Sequence, residues 1–352
     1  MLSIGIVGLP NVGKSTLFNT LTKKKVPAEN FPFCTIDPNI GMVEVPDERL
    51  TKLAKISHSK KIIPTTIEFV DIAGLVRGAH KGEGLGNQFL SHIRKVDAIC
   101  EVVRNFSDPN VIHVEGNVDP ERDLSTIQIE LAMADLQSIE NRLRKVEGKA
   151  RTGDKESQKE LAILEKAQKI LNEGHALRDS EYSEEEIKIL RPFNFLTFKP
   201  ILYVLNIDEN DISKPVLTQK NFIPLSVKIE SEITELSEEE QIIYLKELGL
   251  EKTGLDTLIT ESYKLLGLIT FVTTGEPETR AWTVKNGAKA PQAAGVIHTD
   301  FEKGFIRGEI YQWHELLEHG SEAKLREKGL IRTEGKEYII KDGDVCHFLV
   351  NR

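Results

Sequence analysis

The sequence predicts an α/β chain. Its core is a mostly parallel sheet, interrupted by a coiled-coil helical hairpin and followed by a smaller α+β module. Three observations predict this. Short apolar runs alternate with helix-like segments near the N-terminus and again past residue 200. Between residues 123 and 177 the apolar spacing switches to threes and fours. From residue 268 onward, short apolar runs return around one helix-like stretch.

The elements follow in order. Residues 3–8 form a short apolar run suited to a buried parallel strand, and 14–23 read as the helix after it. Residues 39–45 and 65–71 read as strands, 87–96 as a helix, and 97–104, 200–206 and 222–226 as further strands. Strands separated by helices need crossover connections, so the sheet is expected to be mostly parallel and covered on both faces. In the insertion, Ile129, Ala132, Leu136, Ile139, Leu143, Val146 and Ala150 mark a coiled-coil seam. Residues 148–157 break it with glycines and charges, and Ile163, Ala167, Ile170, Gly174 and Leu177 resume it. An antiparallel hairpin is expected, each arm on the order of 35 Å at about 1.5 Å per residue. Arg142, Arg144, Lys145, Lys149, Arg151, Lys155 and Lys159 gather towards its tip. They are either a solvated helix surface or a contact for an acidic partner such as RNA. In the C-terminal module, 269–273, 280–285, 338–341 and 346–350 read as strands and 292–298 as the helix. The expected domains are 1–122 with 190–267, then 123–189, then 268–352.

A length of 352 residues buries several cores without disulfides. The net charge of −9 argues against a protein that grips nucleic acid by overall basicity, though not against a local basic face. Cys34, Cys100 and Cys346 are odd in number and in no zinc-ligand spacing, so neither a disulfide framework nor structural zinc is expected. No apolar run approaches the length of a membrane span, and the first residues lack the basic region of a signal peptide. A cytoplasmic monomer with no membrane or DNA partner is expected.

The strongest chemical signal is Gly8-Leu9-Pro10-Asn11-Val12-Gly13-Lys14-Ser15, the phosphate-binding pattern G-x-x-x-x-G-K-S. Gly8 and Gly13 let the backbone curl so that N–H groups point inward, and the following helix adds its N-terminal dipole. Lys14 supplies a point charge for the β- and γ-phosphates and Ser15 a hydroxyl for Mg²⁺. A chance match in this length is on the order of one in a hundred. Asp71-Ile72-Ala73-Gly74 closes a later strand, where Asp71 can hold Mg²⁺ through water and the Gly74 N–H can bond the γ-phosphate. Between them, Thr35 sits in a proline-rigid loop, residues 30–38. It either closes over Mg²⁺ and the γ-phosphate or is part of an ordinary turn. For the base, a guanine site carries Asn-Lys-x-Asp after a late strand. Here the sequence is Asn206-Ile207-Asp208-Glu209. The Lys position is Ile207, and Glu209 is one methylene longer than Asp, which removes the basis for rejecting adenine and favours ATP. Asn206 either holds the loop or bonds the adenine edge.

With these motifs in place, the chain resembles the YchF-type Obg-like ATPases, a branch of the translation-factor-related P-loop GTPases. The resemblance rests on residues 8–16, 30–39, 71–89, 206–209 and 280–307, and spans nearly the whole chain. It implies a P-loop, G-domain-like fold with the coiled-coil insertion and a C-terminal TGS domain of β-grasp shape. It also implies slow Mg²⁺-dependent hydrolysis of ATP in preference to GTP, association with the ribosome, through its large subunit or the intact particle, and a part in translation or stress response. It implies that Asn11, Val12, Gly13, Lys14, Ser15 and Thr16 contact the phosphates and that Ser15 and Thr35 meet Mg²⁺. The loop from Asn206 and Ile207 to Glu209 would reach the adenine largely through main-chain groups.

Ras-like enzymes carry Gln directly after D-x-x-G. Here that position is Leu75, which cannot orient water. His80 and His113 are the candidates. His113 lies between apolar neighbours and reads as a packed histidine from sequence alone, while the family resemblance implies a role in hydrolysis. Two functions stay open: an ATP-hydrolysing switch, and a binding regulator that uses ATP as a structural ligand. A GTPase of the Obg type is the further alternative.

Overall fold

The computed structural model describes residues 2–23, 39–74, 85–108, 111, 117–212 and 222–351. The chain begins with β1 (Ser3–Val7), α1 (Lys14–Lys23), β2 (Ile40–Glu44), α2 (Glu48–Ile56), β3 (Ile62–Ile63), β4 (Thr66–Asp71), α3 (Leu85–Lys95) and β5 (Ala98–Asn105). It continues through α4 (Pro120–Arg151), α5 (Lys155–Asn172), α6 (Glu184–Leu190), β6 (Ile201–Ile207), β7 (Phe222–Leu225), α7 (Val227–Ile233), α8 (Glu238–Glu247) and α9 (Gly254–Leu265). It ends with β8 (Leu268–Thr274), β9 (Thr279–Lys285), α10 (Ala290–Ile297), α11 (Thr299–Lys303), β10 (Phe305–Gln312), α12 (Trp313–His319), α13 (Glu322–Glu327), β11 (Arg332–Glu334) and β12 (Asp344–Val350).

These residues group into two compact units. The first takes the described residues of Met1–Lys23, Ile36–Gly41 and Glu68–Leu258, and the second those of Met42–Ile67 and Ile259–Arg352. This differs from the three blocks read from sequence. The helical hairpin stays with the first unit, and a segment far upstream joins the C-terminal module.

The first of the two sheets has the strand order β2-β4-β1-β5-β6-β7. β1 pairs in parallel with β4 and β5, and β6 in parallel with β5 and β7. β1 is buried along its whole length, as a central strand with both faces covered must be. The helix α4 starts on Pro120 with Asp119 as its cap, whose carboxylate accepts from Arg122 N at 3.1 Å. It ends at a short turn through Gly153 (φ +91°) into Asp154, which caps α5 through Ser157 N.

The two arms are unequal, which corrects the expectation of about 35 Å each. At 1.5 Å per residue, 32 residues give about 48 Å for α4 and 18 residues about 27 Å for α5. The reason is that the first turns of α4 face the sheet, where Leu124 packs with Val103, Leu205 and Ile207. Ile129, expected in the seam, is therefore 59% exposed. The true seam joins Ile139 and Leu143 to Ile163, Leu164, Ala167 and Leu171, closed below by Leu177, Leu190 and Phe195. Asp135 of α4 is buried and accepts from Leu196 N, Thr197 N and Thr197 Oγ1 at 2.8–3.0 Å, fixing where the chain returns to the sheet.

In the second unit the sheet order is β11-β10-β12-β8-β9-β3. Its strands alternate between two cores. Phe271, Ile310 and Cys346 face α10, whereas their neighbours Val272, Tyr311 and Val345 face Leu50 and Leu53 of α2 with Leu316 of α12 and Leu325 of α13. One helix was expected here; helices cover both faces, one of them from residues 48–56. The run 338–341 makes only an isolated bridge, Lys289 to Ile339, and the strands missed in the sequence are β3, β10 and β11. Among the described residues no helix is long and apolar enough to cross a membrane.

Candidate functional site

The chain leaves the central strand at Val7 and turns into α1. Gly8 adopts φ +157°, and a Cβ there would stand 2.5 Å from the Val102 carbonyl. Gly13 adopts φ +98°, and a Cβ there would stand 2.6 Å from Asn206 Nδ2. Both positions exclude a side chain by contact as well as by backbone conformation. Asn11 between them is also left-handed, at φ +64°. The first helical bond runs from Leu17 N to Gly13 O at 2.9 Å, so the N–H groups of the first turn of α1 are left for an anion.

Lys14 is buried and its ammonium donates to the Leu9 carbonyl at 2.7 Å. Burial lowers its pKa to about 8, opposed by the carboxylate of Asp71 at the end of β4. Gly74 comes close as well: a Cβ built on it would lie 3.0 Å from Lys14 Nζ and 3.4 Å from Pro10 N. The two sequence motifs thus converge on one point. Ser15 and Thr16 are exposed in the first turn of α1. Thr35, Leu75, His80 and His113 lie outside the described residues.

A cavity of about 810 Å³ extends from this loop. Asn11, Gly13 and Thr16 of the loop line it together with Asn206 to Glu209 and Ser226 to Lys228. Asn206, at the end of β6, is buried and uses its amide twice. Its Nδ2 donates to the Val12 carbonyl at 3.0 Å and its Oδ1 accepts from Val227 N at 3.1 Å. Of the two roles open to it, this geometry is the loop-holding one. The Ile207 side chain is 3% exposed and belongs to the core cluster with Val103 and Leu205. Glu209 opens a short turn and is ion-paired with Lys228.

Several residues here were not singled out from sequence. Arg104, buried at the end of β5, donates to the carbonyls of Phe106, Asp108 and Val111 at 3.0–3.4 Å, with its guanidinium 4.4 Å from the Phe106 ring centroid. Ser107 donates through its N–H and its hydroxyl to Asp208 at 3.1 and 3.2 Å. These bonds frame the 106–108 wall of the cavity. The one available signal was an arginine near the end of a mostly apolar strand.

A glycine-bent loop from a central parallel strand into a helix, with a buried lysine beneath it, defines a P-loop nucleotide-binding protein. Residues 3–170 match a family model described as "50S ribosome-binding GTPase". Residues 268–351 match the C-terminal model of YchF GTPases, described as a protein of unknown function (DUF933). The chain is 51% identical to the ribosome-binding ATPase YchF of Bacillus subtilis (strain 168), covering 99% of each. It is 50% identical to that of Escherichia coli O157:H7, covering 99% of this chain and 98% of the other. The solved structure of the Schizosaccharomyces pombe YchF GTPase matches with a TM-score of 0.88 at 42% identity, covering 99% of this chain and 97% of that one. The chain belongs to the YchF family.

Proposed function

We propose that this chain is a Mg²⁺-dependent, slowly turning over ATPase of the cytoplasm that binds the ribosome according to its nucleotide state. The observation that carries the nucleotide reading is the single cavity joining the Gly8–Ser15 loop to the 206–209 loop, where an isoleucine buried in the core stands in the position of a guanine-binding lysine. The curated relatives are named ribosome-binding ATPases, which supports both activities.

In this reading the N–H groups of residues 11–16 and the Lys14 ammonium bind the phosphates, and Asp71 keeps that ammonium charged. Gly74, which packs against the lysine, offers its N–H to the γ-phosphate. The Ser15 hydroxyl and the Asp71 carboxylate are hard oxygen donors of the kind Mg²⁺ takes alongside phosphate oxygens, and Thr35 would add a third. When bound, the ion neutralises charge developing on the bridging oxygen. Water attacks the γ-phosphorus, and the bond to the bridging oxygen breaks to give ADP and phosphate. We assign the positioning of that water to His113, with Leu75 unable to do it.

Direct titration with MgATP and MgGTP, then turnover with and without ribosomes, tests the proposal. ATP should bind at least about tenfold tighter, or about 1.4 kcal/mol. Equal affinities sink the base reading. Lys14→Ala should abolish turnover and weaken binding, whereas His113→Ala should lower turnover with ATP affinity nearly unchanged. Ribosome binding that is the same with ATP, ADP and a non-hydrolysable analogue would leave ATP as a structural ligand.

A further inference from the structure

The charges around the cavity are unevenly shared between the phosphate loop and the rest of the lining. The loop brings Lys14 and the N-terminus of α1. The lining outside the loop carries Asp108, Asp208, Glu209 and Glu232, with Lys228 as the one ammonium among the lining residues. A polyphosphate is repelled by these carboxylates and held by the loop, so a nucleotide sets its base beside them. Lys228 is the second residue of α7 and pairs directly with Glu209 on the turn after β6. Asp208 is already committed to Ser107.

We propose that Lys228 is a positioning residue for base selection. By holding one oxygen of Glu209 it denies guanine a two-pronged carboxylate for its adjacent N1–H and N2–H donors. Adenine loses nothing by this. Its N1 is an acceptor and its C2 carries no amine, so it has no donor on that edge for a carboxylate to bind. The shift from Asp to Glu and the replacement of the ring-stacking lysine are therefore only part of the discrimination. The rest comes from a cation on a different element, supplied 19 residues later in the chain. The pair is on the cavity wall and partly open to solvent, with side-chain exposures of 67% and 44%, so its removal leaves the core intact.

The inference rests on the base reading given above, and one set of titrations separates the two. MgATP and MgGTP are titrated into the wild-type chain, Lys228→Met, Lys228→Arg and the double variant Lys228→Met with Glu209→Gln, with thermal unfolding as the check on folding. Lys228→Met should lower the ATP-over-GTP ratio by about tenfold, chiefly through tighter GTP binding, the size of one hydrogen bond to a charged acceptor. Lys228→Arg should restore the wild-type ratio, and the double variant should lose the gain in GTP binding. A merely structural role would weaken both nucleotides together and leave the ratio alone. That result, or an unchanged ratio in Lys228→Met, overturns the inference while the base reading stands. Equal wild-type affinities overturn the base reading and the inference with it.

Discussion

Lys14 makes the phosphate loop sensitive to pH. With its pKa lowered to about 8 by burial, the ammonium is present below that pH and is lost above it. Phosphate binding needs the charged form, so nucleotide affinity should be flat below about pH 8. Above it, affinity should fall by up to about tenfold per pH unit, because a proton must be taken up on binding. Asp71 raises the lysine's pKa, so Asp71→Asn should move the break to lower pH. Calorimetric titration of ATP between pH 7 and 9 at constant free Mg²⁺ checks both. Asn206 predicts a different signature. Its replacement by Ala strands the buried Val12 carbonyl and Val227 N–H, costing about 1–3 kcal/mol of stability in denaturant unfolding. ATP and GTP should weaken together, because the amide serves the loop and not the base. At this scale the sequence spoke clearly where chemistry is local. Gly8, Gly13 and Lys14 announce themselves by spacing. Arg104 and Lys228 do not, since their roles depend on carbonyls and a carboxylate that only the fold brings near.

The hairpin shows what periodicity can and cannot specify. Spacing of three and four located both arms and the turn between them. It could not tell a stripe that faces a partner helix from one that faces a sheet, and so it placed Ile129 inside. Charge at the tip is also less uniform than the sequence implies. Arg142 pairs with Glu160, Arg144 lies 4.0 Å from Glu140, Arg151 lies 3.6 Å from Glu147, and Lys159 pairs with Glu185. Lys145, Lys149 and Lys155 are the exposed charges to test. Reversing these three to Glu should weaken ribosome co-sedimentation and flatten its salt dependence, because fewer phosphates are then neutralised. Basal ATP hydrolysis should hold near wild type. Unchanged co-sedimentation would make them solvated surface charges and move the interface elsewhere. Among the elements that escaped the sequence, α2, β3 and β10 lean on non-local partners. β3 has only two residues and pairs with Thr279 and Arg280.

For the whole molecule, domain boundaries drawn along the chain assume that neighbours in sequence stay together. The segment Met42–Ile67 breaks that assumption by joining the C-terminal unit. Ser59 there bonds the Gly275 carbonyl at 2.6 Å, Arg49 pairs with Asp342 at 2.7 Å, and Leu50 and Leu53 fill the core against Val272 and Val345. Residues 268–352 expressed alone should therefore be unstable, exposing the apolar face that α2 covers. Addition of a 42–67 peptide, or its fusion to the fragment, should restore a cooperative thermal transition. A fragment that melts cooperatively by itself would show that α2 is dispensable to that core.

The same arrangement sets an order of events during synthesis. α2 leaves the ribosome about 200 residues ahead of β8 and β9, the strands it must cover. At roughly 5–20 residues per second that interval is on the order of ten to forty seconds. Throughout it, Leu50 and Leu53 are on a nascent chain whose partners have not yet been translated. The second core closes only when the last strand, β12, has emerged. The nascent chain must keep an amphipathic helix out of trouble for most of its own translation, and the α2 stripe is where a chaperone engaging that chain would find it.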